Sequence, residues 1–176
     1  MVPRNWRNAA FIAVVCLLAS CTSPPATSEG MTAADPPAIK PNWVVKSAIA
    51  VGDIAGGGAT NASGQLEVGS DAFRQALQQS LQAAGYLAAG PKPRYRLSAT
   101  LQELDEPKFA LTDDTTVSAT VLYRLIGRGA NAQYSITTSG TATFDESAIF
   151  GKRLQLASER ALQANIGTLL QKLQKF

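Results

Sequence analysis

The order of apolar patterns in this 176-residue chain predicts an α+β fold. Specifically, it predicts a two-layer sandwich, β-α-β-β-β-α, in which a four-stranded sheet carries two helices packed on one face. Three observations carry that expectation. Apolar residues recur at every second position over 95–102, 115–126 and 133–144, as in strands with one buried face. They recur at helical spacing over 70–84 and 152–173. Glycine and proline interrupt the chain between these runs, at Pro91, Pro93, Gly127 and Gly129 among others.

The first element is Trp43-Val44-Val45-Lys46-Ser47-Ala48-Ile49-Ala50-Val51, rich in β-branched residues and stopped by Gly52-Asp53, which reads as a strand buried on at least one face. Gly56-Gly57-Gly58 invites a phosphate-loop reading, but the lysine and hydroxyl of that motif are absent and the spacing of a dinucleotide fingerprint is missing. About a dozen residues also separate Gly58 from the next helix, so its amides are not at a helix N-terminus, and a plain loop is the better reading. Ser70-Asp71 begins that helix, with Ser70 placed to accept from free amides and Asp71 against the positive end of the dipole. Phe73, Ala76, Leu77, Leu81 and Ala84 share one face, and Gly85 is placed to end it. Its other faces are rich in glutamine rather than cations, which predicts packing on a sheet and not on a membrane.

In Tyr95-Arg96-Leu97-Ser98-Ala99-Thr100-Leu101-Gln102 one side faces inward and the other water. The following Glu103, Asp105 and Glu106 gather three carboxylates. An acid-base pair for glycoside hydrolysis is conceivable there, yet nothing in the sequence supplies a sugar platform or a cause for a raised pKa, so a solvated strand end is the simpler account. Asp113-Asp114 reads as turn chemistry. A strand over 115–126 points Val117, Ala119, Val121, Tyr123 and Leu125 one way, and 133–144 returns after a glycine-containing turn to make a hairpin. Thr and Ser on its outer positions suit an exposed sheet face or a partner's strand edge. The final helix carries a stripe from Leu154 to Leu173, with Ser158 and Asn165 expected at its margin and Lys172 and Lys175 at the negative end of the dipole.

Ahead of this domain, Arg4 and Arg7 precede an apolar run, Phe11 to Ala19, that ends in Leu18-Ala19-Ser20-Cys21. A charged start, a short apolar segment and small residues are the parts of a secretory signal peptide, expected here over residues 1–20. The run is about nine residues, far short of the roughly 20 that cross a bilayer as a helix. Leu-Ala-Ser-Cys resembles the lipobox of bacterial lipoproteins, which implies a lipid (diacylglyceryl, palmitate-type) attachment on Cys21 and a membrane anchor. By the same resemblance, Thr22 in place of an aspartate favours the outer membrane, on its periplasmic face. A conventional cleaved signal, which would leave Cys21 as a free thiol, stays open as the competitor. Residues 21–41 are dominated by Ser, Pro, Thr, Ala and Gly and are expected to form a disordered, lipidated tether. Extended at about 3.1 Å per residue, such a tether reaches up to roughly 60 Å. Residues 42–176 are then a single α/β domain of ordinary size.

Removing Arg4 and Arg7 with the leader leaves fourteen basic residues against thirteen acidic ones, so the basicity of the whole chain argues for no nucleic-acid partner. Lys92, Arg94 and Arg96 form a cluster that reads as a solvated strand start. The chain has no histidine, and Cys16 leaves with the leader, which removes Cys/His nucleophile pairs, His-based general bases and ordinary zinc sites. No cofactor, metal or catalytic residue is expected. Lipobox, tether, element order and the ending Arg160-Ala161-Leu162-Gln163-Ala164-Asn165-Ile166 together look like small periplasmic outer-membrane lipoproteins. The likeness extends to the lipopolysaccharide-assembly lipoprotein that plugs the translocon barrel and to auxiliary lipoproteins of lipid transport. The resemblance implies a non-enzymatic binding or assembly module that meets an envelope protein or a glycolipid. Two other classes remain open on the sequence: an envelope hydrolase acting through Ser, Asp and Glu, for which no Gly-x-Ser-x-Gly elbow is present, and a small-ligand sensor.

Overall fold

The computed structural model describes residues 23–33, 44–56, 68–107, 114–127 and 129–176. A short helix α1 (Ser28–Met31) is followed by strand β1 (Ile49–Ala55), helix α2 (Ser70–Ala83), strands β2 (Tyr95–Asp105), β3 (Thr115–Gly127) and β4 (Ala130–Ala142), and helix α3 (Phe150–Gln174). The four strands form one sheet in the order β1-β2-β3-β4, with β1 parallel to β2 and the other neighbours antiparallel. This is the expected α+β sandwich, and α2 is the crossover that makes β1 and β2 parallel neighbours.

The alternation in β2 and β3 sends Leu97, Ala99, Leu101, Val117, Val121, Tyr123 and Leu125 into one core beneath the helices. From α3 come Leu154, Leu162, Ile166, Leu169, Leu170 and Leu173, all fully buried. Small residues set how closely α3 sits on β4. A Cβ on Gly140 would lie 2.2 Å from the carbonyl oxygen of Ala157 and 2.4 Å from the amide nitrogen of Ala161, so helix backbone rests on strand backbone there.

Several local expectations are corrected. The first strand begins at Ile49 rather than at 43, because 44–47 form a turn with Ser47 at φ 50. The amide of Ser47 donates to Gly85 O and that of Ile49 to Tyr86 O, so residues after α2 capture the segment that precedes the strand. Gly52 does not stop the strand; it lies within it. The N-cap of α2 is Gly69 and no side chain caps it, so Ser70 is the first helical residue rather than the cap. At the other end Gly85 takes φ 74, with its amide bonded to Gln82 O and that of Tyr86 to Leu81 O, the paired closure in which glycine's left-handed freedom ends a helix. Ser158 and Asn165 are not marginal but fully buried. Ser158 Oγ donates back to Leu154 O, while Asn165 Nδ2 donates to Ile136 O (2.9 Å) and Thr138 Oγ1 (3.0 Å), tying α3 to β4.

The largest difference concerns the tether. Residues 23–33, inside the span expected to be unpacked, lie on α2 and α3 as a strap. Met31 is fully buried, with Ala26 and Ala33 beside it. One large apolar side chain and a set of hydrogen bonds offset the ordering cost that the Ser/Pro/Thr composition alone does not.

Candidate interaction surface

Cys21, the one residue singled out for chemistry, lies outside the described residues, as do Asp113 and Gly57-Gly58. The strap that follows Cys21 is described in detail. Thr27 caps α1 by accepting from the Gly30 amide, and its own amide and hydroxyl both donate to Glu159 Oε1 at 2.8 Å. Gln155 Nε2 donates to the same oxygen at 2.9 Å, so a buried carboxylate on α3 is satisfied jointly by helix and strap. Further along, Gln163 Nε2 donates to Thr32 O and the Ala33 amide donates to Ser80 Oγ of α2.

The side of the sheet away from the helices has a different character. Its outward side chains on β3 and β4 face one another as Thr116 with Thr141, Ser118 with Ser139, Thr120 with Thr137 and Arg124 with Gln133. The hydroxyls pair across the strands, Thr116 with Thr141 and Thr120 with Thr137 at 2.9 Å, Ser139 donating to Ser118 at 3.3 Å. Arg96 and Arg124 lie toward one end of this face, and the exposed Glu103 and Asp105 toward the other. A shallow depression lined by Arg124, Ile126, Asn131 and Gln133 closes the hairpin end. The terminal strands are less available. On β1 the Gly52 carbonyl accepts from Arg74, and the start of the strand pairs with residues 85–88. On β4 the Thr141 carbonyl accepts from Arg160. Occupied edges resist strand addition.

At the opposite end, the connection from β4 to α3 is organised by Arg153, which is fully buried. Its guanidinium stacks on Phe144 at 5.2 Å and on Phe150 at 5.8 Å, while Nη1 donates to Ser147 O and Nε to Thr115 Oγ1. Nearby, Arg160 forms a fork with Glu146; this pair and the Thr143 amide hold the Glu146 carboxyl down at about 2.

The carboxylate cluster after β2 is only partly as expected. Glu103 and Asp105 are exposed, but burial raises the pKa of Glu106 above the usual carboxylate range, a cause that the sequence does not display. Asp114 fastens the end of the hairpin, its Oδ1 accepting from the Phe144 amide at 3.1 Å. Burial also pushes the Tyr123 hydroxyl above the ordinary tyrosine range. Among the described residues no group of three or more His, Cys, Asp or Glu side chains is arranged to hold a metal ion, and no helix is long and apolar enough to cross a membrane. Sequence reasoning missed Arg153, Gln155 and Glu159. Each sits off the apolar stripe of α3, and the signal that would have found them is long-range: the strap and the Phe144 connection cover those flanks.

No family model matches the sequence, and no curated protein matches it. Among solved structures, the chain is similar to a hypothetical protein from Chlamydia trachomatis, at 11% identity and a TM-score of 0.48 over 73% of this chain and 98% of that one. It is also similar to the PelC dodecamer from Paraburkholderia phytofirmans, at 20% identity and a TM-score of 0.44 over 87% and 92% of the two chains. A third is a minor lipoprotein from Acinetobacter baumannii, at 13% identity and a TM-score of 0.40 over 74% and 90%.

Proposed function

We propose that the chain is a non-enzymatic lipoprotein of the bacterial envelope. In this reading residues 1–20 leave as a signal peptide, and Cys21 carries the lipid at the periplasmic face of the outer membrane. The domain beyond it is a binding or assembly accessory that meets an envelope protein or a glycolipid. Leu18-Ala19-Ser20-Cys21 supports the anchor, and the open face of the sheet carries the binding role.

That face is a flat array of short hydroxyl side chains already paired across β3 and β4. Short side chains lose little rotamer freedom when a partner covers them, and their spare hydrogen-bonding capacity suits a polar surface or a sugar. Because the terminal strands have carbonyls taken by Arg74 and Arg160, a partner that approaches the face fits better than one that adds a strand.

Gentle detergent extraction of the native protein tests both parts. A stoichiometric membrane protein or glycolipid is expected to co-purify with the wild type and to be lost from a Thr120→Arg, Thr137→Arg double variant that keeps its thermal midpoint. A monomer that hydrolyses an envelope substrate would overturn the binding role. Cys21→Ser is expected to move the protein from the membrane to the soluble fraction; retention at the membrane would overturn the anchor.

A further inference from the structure

The exposed large apolar side chains among the described residues are Ile149 at 72%, Ile126 at 57% and Phe144 at 39%. Two of these, Phe144 and Ile149, belong to the single connection between β4 and α3. They are held outward rather than left to collapse. Phe144 stacks one side of its ring on the buried Arg153 guanidinium, and Arg153 Nη1 fixes the same connection through Ser147 O at 2.7 Å. Ile149 is the N-cap residue of α3, with extended backbone that points its side chain off the helix.

The strap ends at this same place. A Cβ on Gly151, in the first turn of α3, would lie 3.1 Å from Ser23 Oγ and 3.3 Å from Ser23 Cα, so Ser23 is seated against the helix start. Successive Cα atoms are about 3.8 Å apart, so Cys21 lies within about 8 Å of Ser23 whatever path residue 22 takes. The hydrogen bonds of Thr27 to Glu159 and of Gln163 to Thr32 keep the strap docked, so its described end, two residues after Cys21, stays with the start of α3.

From this juxtaposition we infer that the end of the domain formed by the start of α3 and the connection before it is a membrane-contact surface, with Phe144 and Ile149 seated among the lipids that surround the anchor. The inference rests on the proposed lipidation of Cys21. Short acyl attachment brings the bilayer to this end, and two apolar side chains already face it. The two acyl chains of a diacylglyceryl group already suffice for stable anchoring, so the apolar pair sets how the domain lies against the bilayer rather than whether it is held there. Charge does not draw this end to an anionic surface: Lys152 is exposed and Glu146 is paired with Arg160, but Asp114 and Asp145 lie beside it and Glu103 and Asp105 at the same end of the sheet, so the contact is an apolar one. The strands then run away from the bilayer. The 13 residues of β4, at about 3.4 Å each, carry the β3–β4 turn roughly 40 Å outward, with the hydroxyl face presented sideways along that length.

The test uses the full chain, exported and purified in its acylated form and placed in phosphatidylethanolamine/phosphatidylglycerol vesicles that contain brominated acyl chains. An environment-sensitive fluorophore is attached to Ile149→Cys or, as a control, to Asn131→Cys at the far end of the hairpin, which is exposed; the acylated Cys21 has no free thiol to compete. The probe at 149 is expected to lose about half its emission to the brominated chains while the probe at 131 stays within about a tenth of its value, as for interfacial against aqueous sites. Equal quenching of both probes by aqueous iodide, with neither quenched by bromolipid, would overturn the inference. The intact mass is read on the same samples. An acylated protein whose 149 probe stays aqueous sinks the contact surface and leaves the anchor standing, whereas an unacylated protein sinks the anchor and the contact surface with it.

Discussion

The two faces of the sheet are made from the same strands yet obey different constraints. On the covered face, β3 contributes Val117, Val121, Tyr123 and Leu125, all fully buried under α3 and its neighbours. At the intervening positions the same strand contributes Thr116, Ser118, Thr120, Leu122 and Arg124 to a face that stays in contact with solvent. The contrast teaches that stability and recognition are separated by a single-residue step. Changes on one face should be felt by the fold, and changes on the other by whatever meets it.

The comparison is tested most severely at its covered face. Leu162→Ala removes a fully buried side chain from the centre of α3, and urea unfolding should show a loss of about 2–5 kcal/mol with an unchanged slope. Gly140→Ala comes next. Its new methyl would meet backbone atoms of Ala157 and Ala161 that cannot move independently, so thermal denaturation should report a loss of about 1–3 kcal/mol. If that substitution proved neutral, α3 would not rest on β4 as closely as described.

The open face supplies the contrary expectation. Thr120→Ala and Thr137→Ala together break one exposed hydroxyl pair, and each should change stability by no more than about 0.5 kcal/mol. A larger effect would mean that this face is structural after all.

The smallest effect concerns an exposed ion pair. Glu146 titrates near 2 in the folded protein against 4.5 for the free carboxyl, so its contribution is complete above about 4.5 and is lost as pH falls toward 2. The difference in urea midpoint between wild type and Glu146→Gln should therefore shrink across that window and stay flat above it. A difference that persisted at pH 2 would place the effect elsewhere than in the Arg160 pairing.

Much of this was legible in the sequence because β3, β4 and α3 are long and keep one period throughout. Alternation in β3 named its buried residues, and the leucines of α3 named its stripe. The open face was legible as the other half of the same alternation. What escaped was set by distant parts of the chain. The late start of β1 follows from the amides of Ser47 and Ile49 bonding to residues 85 and 86, and no local pattern in 43–51 encodes that choice. The burial of Asn165 depends on main-chain carbonyls of β3 and β4 being within its reach. Nothing local marks Glu159 for burial, because its partner, Thr27, sits 132 residues away in a stretch whose composition promised no structure.

That separation also dictates an order of events. A polypeptide is made from its N-terminus, so the strap is synthesised first, yet the carboxylate that receives it is among the last side chains to exist. Closing a loop of that length costs entropy that must be met before the contact returns any stabilisation. The earliest segment of the domain is therefore the last to be fixed. Until α3 has folded, a newly made chain keeps residues 23–33 undocked, and the completed fold draws them in.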